Sequence, residues 1–401
     1  MQEKKDRQLL IFINLSVQIM FVFYSLFFNI FIYSINNDLF FVLILNGFSF
    51  LIDILFQLFL TKILSKKNAM FIYRLSFLLI FVSILLAFFV TKNTLWLAWL
   101  IMGFFSIAKM CFYVPHEIAV MDKGKNVSMK KFVGLSSIVS SLSTILSPLL
   151  SGFIIGTWSY FAIFSVILAV AFVAFVLSIF LSNFYVEPQK DLSLGQVFKL
   201  SYQEPKTKMV LWAFAVGKFS QASVIPFLLP VLLFLKTGTE ISVGFYSSLI
   251  AVVATLTFAI YVYYIKNNEK ILWFTAVLNF MASLILVIYP TFVTFLTYYI
   301  VRECCYKIFH NAMTTSIFTA NQNTVFAQNK REYHMVFSTY NHISSLLAIL
   351  LTVLMYSIFP TELCLSIIII VLSAMLFLSI YLLNRSDYLA SKPVNFANNN
   401  H

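Results

Sequence analysis

Six ionisable side chains stand inside long apolar stretches: Asp53, Lys109, Lys218, Arg302, Glu303 and Lys307. A charge at the centre of a bilayer is costly, so each of these residues is a candidate for binding or moving charge. Their spacing groups them further. Arg302, Glu303, Tyr306, Lys307, His310 and Thr314 recur at three or four residues and so share one stripe of a helix, as do Lys109, Tyr113, His116 and Glu117. Such stripes must face protein or water. Lys109, Lys218, Arg302 and Lys307 outnumber the carboxylates among them, and a positive excess at low dielectric favours an anionic or amphipathic solute. These four cations are the expected substrate contacts, with Tyr113, Gln221 and Tyr306 beside them. Glu303 and Asp53 are the expected proton carriers, followed by His310 and His116. Structural readings stand beside these. Glu303 and Lys307 can form an ion pair one turn apart, Arg302 can pair with Asp53 across helices, and either histidine can be a satisfied residue near the headgroups. Lys109 and Lys218 have no evident acidic partner on their own helices.

The elements that must position these residues are membrane helices. Of the 401 residues, 61% are apolar, 18% aromatic and 10% charged, and the mean hydropathy is +0.92. Soluble chains carry roughly 45–50% apolar and about 25% charged residues, so a soluble enzyme, a nucleic-acid binder and a disulfide-stapled domain are excluded. Apolar stretches of about 20 residues, each enough to cross the hydrocarbon layer, point to helices rather than a barrel. The expected fold class is an all-α polytopic membrane protein with twelve transmembrane helices. Its spans run near residues 8–34, 39–64, 69–91, 95–121, 132–156, 160–185, 208–235, 241–265, 271–289, 292–320, 334–359 and 363–384. The basic start followed by a long apolar run reads as a retained first span rather than a cleaved signal.

Loop charge sets the orientation. The N-terminus and every second loop hold 20 of the 27 Lys and Arg residues, whereas the alternate loops hold only Lys92 and Lys236. Both termini are therefore expected in the cytoplasm, in the cell membrane. The net charge of +12 is mainly this topology signal, with some attraction to anionic lipid headgroups. The longest loop, residues 186–207, divides the chain into an N-terminal six-helix bundle, 1–185, and a C-terminal one, 208–388, with a disordered tail over 389–401. A short internal repeat fits that division: Cys111-Phe112-Tyr113-Val114-Pro115-His116 in span 4 and Cys305-Tyr306-Lys307-Ile308-Phe309-His310 in span 10 share Cys-aromatic-x-x-x-His, 194 residues apart.

Twelve spans in six-plus-six order, a long central loop and cytoplasmic termini resemble the major facilitator superfamily of secondary transporters over essentially the whole chain. The most specific stretch is span 5, Ser143-Thr144-Ile145-Leu146-Ser147-Pro148-Leu149-Leu150-Ser151-Gly152, which resembles the family's G-x-x-x-G-P-x-x-G-G signature with serines at three glycine positions. That motif is associated in the family with antiporters and drug exporters, so the pattern is most similar to the drug and macrolide-efflux branch. The resemblance implies gating or packing by Ser143, Ser147, Pro148, Ser151 and Gly152, since small residues let helices approach and Pro148 bends the span. It also implies that spans 1, 4, 7 and 10 line a central cavity. The loop between spans 2 and 3 keeps Lys62, Lys66 and Lys67 of the family's other signature but lacks its Gly and Asp.

The expected function is a secondary active transporter working by alternating access. Its two bundles rock around a site at the bilayer midplane and export a small anionic or amphipathic solute in exchange for protons. Proton-coupled uptake of an organic anion and a non-transporting membrane scaffold or immunity protein are the alternatives. No catalytic constellation, cofactor or metal is expected, because there is no Gly-rich phosphate loop and the four cysteines show no metal-ligand or disulfide spacing. The expected partners are the solute, protons and membrane lipids, with no nucleic acid, and the expected state is a monomer.

Overall fold

The computed structural model describes residues 2–63, 69–123, 129–184, 194–221, 224–264, 269–322 and 330–391, and these are helical nearly throughout. Span 1 comprises Gln2–Phe23, a π-helical turn Tyr24–Phe28 and Asn29–Asn36. Spans 2 to 6 are Leu39–Ile63, Ala69–Ala87, Leu97–Lys123, Met129–Thr157 and Tyr160–Ile179. Span 7 comprises Pro205–Gln221 and Ile225–Thr237, and spans 8 to 12 are Glu240–Tyr264, Glu269–Ile288, Phe292–Gln322, Lys330–Ile358 and Thr361–Ser391. Eleven helical stretches among the described residues are long and apolar enough to cross a membrane. Span 10 is the twelfth long helix, at 31 residues, and it is the one that concentrates Arg302, Glu303 and Lys307. This is an all-α, multi-pass membrane protein.

Local chemistry sets the helix ends. Asn37 at φ 52° and Gly238 at φ 73° adopt the left-handed conformation that closes spans 1 and 7. The Ser159 side chain accepts a hydrogen bond from the Ala162 amide at 3.4 Å and caps span 6. The central loop is only partly a loop, because Leu194–Gln203 forms a helix. Val197 and Ser201, one turn apart on it, are fully buried, an amphipathic pattern that gives the segment an inward face. Span 12 runs to Ser391, and the remainder of the expected tail lies outside the described residues.

The chain packs as two compact units that are not continuous in sequence. The first combines Met1–Pro188 with Ser223–Thr257 and Ser345–Cys364. Its core is aromatic: Phe23, Phe27, Phe28, Tyr73, Phe77, Phe112 and Phe164 are all essentially inaccessible. The second combines Gln189–Ala222, Phe258–Ser344 and Leu365–His401. There, Val197 on the connecting helix meets Val210, Leu211, Phe214, Ile308, Phe309, Phe337 and Leu376. Large apolar side chains on the outer faces, such as Phe71, Phe153 and Phe274, remain exposed, as lipid contact requires.

Candidate functional site

In the first unit the expected candidates gather where spans 2 and 4 meet. Lys109 donates to Asp53 Oδ2 at 2.5 Å. The carboxylate is fully buried, whereas the lysine side chain retains 21% exposure. The Lys109 ammonium also lies 5.8 Å from the centre of the Phe50 ring, where the ring quadrupole adds attraction. One or two turns away the same helices share a hydroxyl pair, Ser49 with Ser106 at 2.6 Å. Asn46 donates to Asn29 Oδ1 at 2.9 Å and so ties span 2 to span 1. Asp53 is thus paired with Lys109. Lys109 finds its acid on the neighbouring helix.

The same unit encloses His116. Tyr73 Oη and His116 Nδ1 are 3.2 Å apart, and the imidazole stacks on Phe112 at 4.8 Å with 19° between the rings. Tyr113 turns the other way and meets Phe21 at 5.3 Å. The Glu117 side chain lies outside the described residues.

In the second unit, Arg302 donates to Glu303, its neighbour in sequence. Arg302 is 2% exposed and Glu303 25%. Tyr306 sits one turn further on, with the Arg302 guanidinium carbon 5.7 Å from its ring centre. From span 7, the Lys218 ammonium lies 5.9 Å from that ring and 5.4 Å from Phe214. Lys218 is half-buried, and no carboxylate lies within ion-pair distance of it among the described residues. Tyr306 stacks on His310 at 5.5 Å and 19°. Lys307 is half-buried beside them.

Close backbone contact holds this arrangement. A Cβ on Gly217 would lie 2.6 Å from the buried Phe309 ring and 3.0 Å from Ser379 Oγ, so only glycine lets span 7 approach span 10 there. Ser379 donates to the Ala213 carbonyl and Ser220 to the Leu372 carbonyl, each at 2.6 Å, which locks span 7 against span 12. The Gln221 side chain lies outside the described residues.

The internal repeat has a structural counterpart. In both copies the histidine stacks on the aromatic residue four positions earlier, His116 on Phe112 and His310 on Tyr306, each with 19° between rings, and Cys111 and Cys305 are buried beside them. The register that aligns the copies places Glu303 at the position of Lys109. The charge is reversed, yet each is held by an opposite charge.

Span 5 supplies a packing seam in the first unit. Ser143, Ser147 and Ser151 are buried at four-residue intervals. A Cβ on Gly152 would lie 2.5 Å from the Glu240 carbonyl oxygen and 2.9 Å from Gly244 Cα, so spans 5 and 8 touch through their backbones. Ser248 donates to the Ile145 carbonyl at 2.6 Å one turn away, and Tyr160 donates to Glu240 at 3.1 Å at the far end.

Sequence reasoning missed the rings. Phe50, Phe214 and Tyr73 were not among the expected site residues, although Phe214 precedes Lys218 by one helical turn. With 46 phenylalanines in the chain, that spacing alone carries little signal. Among the described residues, no group of three or more His, Cys, Asp or Glu side chains gathers as a metal site would require.

Solved structures that share this architecture decide the fold. A mutant of the nucleoside transporter NupG superposes with a TM-score of 0.73 at 12% identity, over 95% of this chain and 99% of that one. A bacterial homologue of the iron transporter ferroportin, in its outward-facing state, gives 0.63 at 16% identity over 97% and 100%. A bacterial metal transporter gives 0.62 at 13% identity over 96% and 98%. The chain has the major facilitator fold. No family model matches the sequence, and no curated protein does. Within the major facilitator fold, packing of apolar helices does not explain the charged residues of spans 2 and 4 in the first unit or of spans 7 and 10 in the second, and each group is a candidate site in its own unit.

Proposed function

We propose that this protein is a secondary active transporter that works by alternating access and exports a small anionic or amphipathic solute in exchange for protons. The observation that carries this reading is the pairing at membrane depth. Asp53 holds Lys109 and Glu303 holds Arg302, while Lys218 lies by the rings of Phe214 and Tyr306 with no carboxylate in ion-pair range among the described residues. A proton arriving on either carboxylate removes the charge that holds its cation, and the released cation becomes available to an anion. Proton and solute are then linked through the same few side chains. The fold supports this reading, because the structures it resembles are those of transporters. The serine- and glycine-bearing seam of span 5 supports export, through its likeness to the antiporter signature. Protein in the cell membrane with both termini in the cytoplasm, acting as a monomer with two six-helix repeats, completes the proposal.

Purified protein in proteoliposomes with an imposed pH gradient and an internal pH-sensitive dye tests it. Proton flux is expected only when a transported anion is supplied, running opposite to the solute, and Glu303→Gln or Asp53→Asn should abolish it. Flux in the same direction as the solute would replace export with uptake. Folded protein that moves no protons with any solute would overturn proton-coupled transport and leave sodium coupling or a scaffold.

A further inference from the structure

We infer that the Lys218 region of the second unit binds a planar aromatic carboxylate, with the carboxylate on the lysine and the ring against Tyr306. This rests on the transporter reading and specifies its solute.

Three observations converge. The first is an ammonium in a membrane-spanning helix whose neighbours are the rings of Phe214 and Tyr306, at 5.4 and 5.9 Å, with no carboxylate in ion-pair range among the described residues. Aromatic faces attract a cation but leave its net charge in place, so at low dielectric the site still requires an anion. The second is the parallel stack of Tyr306 on His310, both half-buried, which offers a flat π surface beside the charge. A carboxylate accepts from an ammonium at roughly 2.8 Å, and the ring attached to it then falls within stacking range of Tyr306. The third is rigidity: Gly217 packed on Phe309 and the two serine-to-carbonyl bonds from spans 7 and 12 hold Lys218 and Tyr306 in place. The other cation near Tyr306, Arg302, is occupied by Glu303. An aliphatic or inorganic anion would satisfy the lysine but leave the two rings unused. Offset or edge-on contact with an aromatic ligand uses both the charge and the rings.

Equilibrium dialysis of radiolabelled benzoate against the full-length protein in lipid nanodiscs tests the inference. Benzoate should bind saturably and 2-naphthoate should displace it, whereas cyclohexanecarboxylate should need roughly fivefold to tenfold higher concentration. Benzyl alcohol, a ring without the charge, should not compete. Lys218→Gln should lose benzoate binding and Lys218→Arg should retain it, so loss in the first cannot be ascribed to misfolding if both elute as single folded species. Tyr306→Leu should weaken benzoate to the level of cyclohexanecarboxylate and leave the latter unchanged. Equal displacement by the aromatic and the saturated acid, or benzoate binding that survives Lys218→Gln, would overturn the inference. So would a protein that shows solute-driven proton flux with aliphatic anions yet binds no benzoate, a result that leaves the transporter reading intact. Absence of flux with every solute in the same preparation would instead overturn the reading beneath it.

Discussion

The two lysines in the middle of spans 4 and 7 are alike in type and in their place along the helix, and the protein treats them differently. Lys109 is neutralised by a fully buried carboxylate at 2.5 Å. Lys218 is surrounded by rings. A buried ion pair gains its Coulomb energy only by giving up the hydration of both ions, so it contributes little to stability while making the loss of either member expensive. An ammonium among aromatic faces has a weaker hold, about 0.5–2 kcal/mol, and keeps its charge available. The first arrangement is a lock that a proton can open. The second is a standing invitation to an anion.

That contrast predicts opposite costs for one substitution. Lys109→Gln leaves Asp53 buried without its cation and should destabilise the protein by about 3–5 kcal/mol, measured as unfolding in mixed micelles with increasing denaturing detergent. Lys218→Gln removes a charge that no acid among the described residues balances and should cost less than about 1 kcal/mol in the same assay, while abolishing anion binding. Equal destabilisation by the two variants would break the comparison. A double-variant cycle sharpens it. Asp53→Asn with Lys109→Gln replaces the ion pair by a neutral amide pair and should recover about 2–3 kcal/mol relative to the sum of the single variants. Additive losses would mean that the short contact between the two side chains does not couple them.

Much of this was legible in the residues. Apolar run length located the helical spans, and three- or four-residue spacing identified the polar stripes of spans 4 and 10. Pairing was not legible. Own-helix spacing offered Glu303 with Lys307, and the structure also joins Glu303 to Arg302, the residue beside it in sequence. Asp53 was weighed against Arg302, and span packing gives it Lys109. Spacing reports which residues share a face of one helix, whereas partners across helices depend on which faces pack and at what register. The aromatic surroundings of Lys218 were hidden for a related reason, since phenylalanine is too frequent here for any one ring to stand out. The Cys-aromatic-x-x-x-His repeat was legible, and it corresponds to a ring stack with the same 19° between rings in both units. The helix at Leu194–Gln203 was concealed by its shortness and its polar flanks.

The smallest structural change is a single methyl group at the glycine preceding each lysine in its helix. Gly217 precedes Lys218, and an added Cβ would meet the buried Phe309 ring at 2.6 Å and Ser379 Oγ at 3.0 Å. Gly103 lies six residues before Lys109, and a Cβ there would meet only Phe48 Cε1, at 3.7 Å, an ordinary van der Waals contact. Gly217→Ala should therefore cost about 1–3 kcal/mol by overpacking, and it should weaken benzoate binding as span 7 is pushed away from Tyr306. Gly103→Ala should be neutral or stabilising by up to about 1 kcal/mol, because alanine is the better helix former. The same assay reads both. If the two alanines behave alike, the close approach of spans 7 and 10 does not set the position of Lys218, and the difference between the lysines must come from their immediate partners alone. If Gly217→Ala loses affinity while Lys109 and Asp53 still show their full coupling energy, the aromatic site is a separate rigid construction whose geometry depends on one missing methyl group.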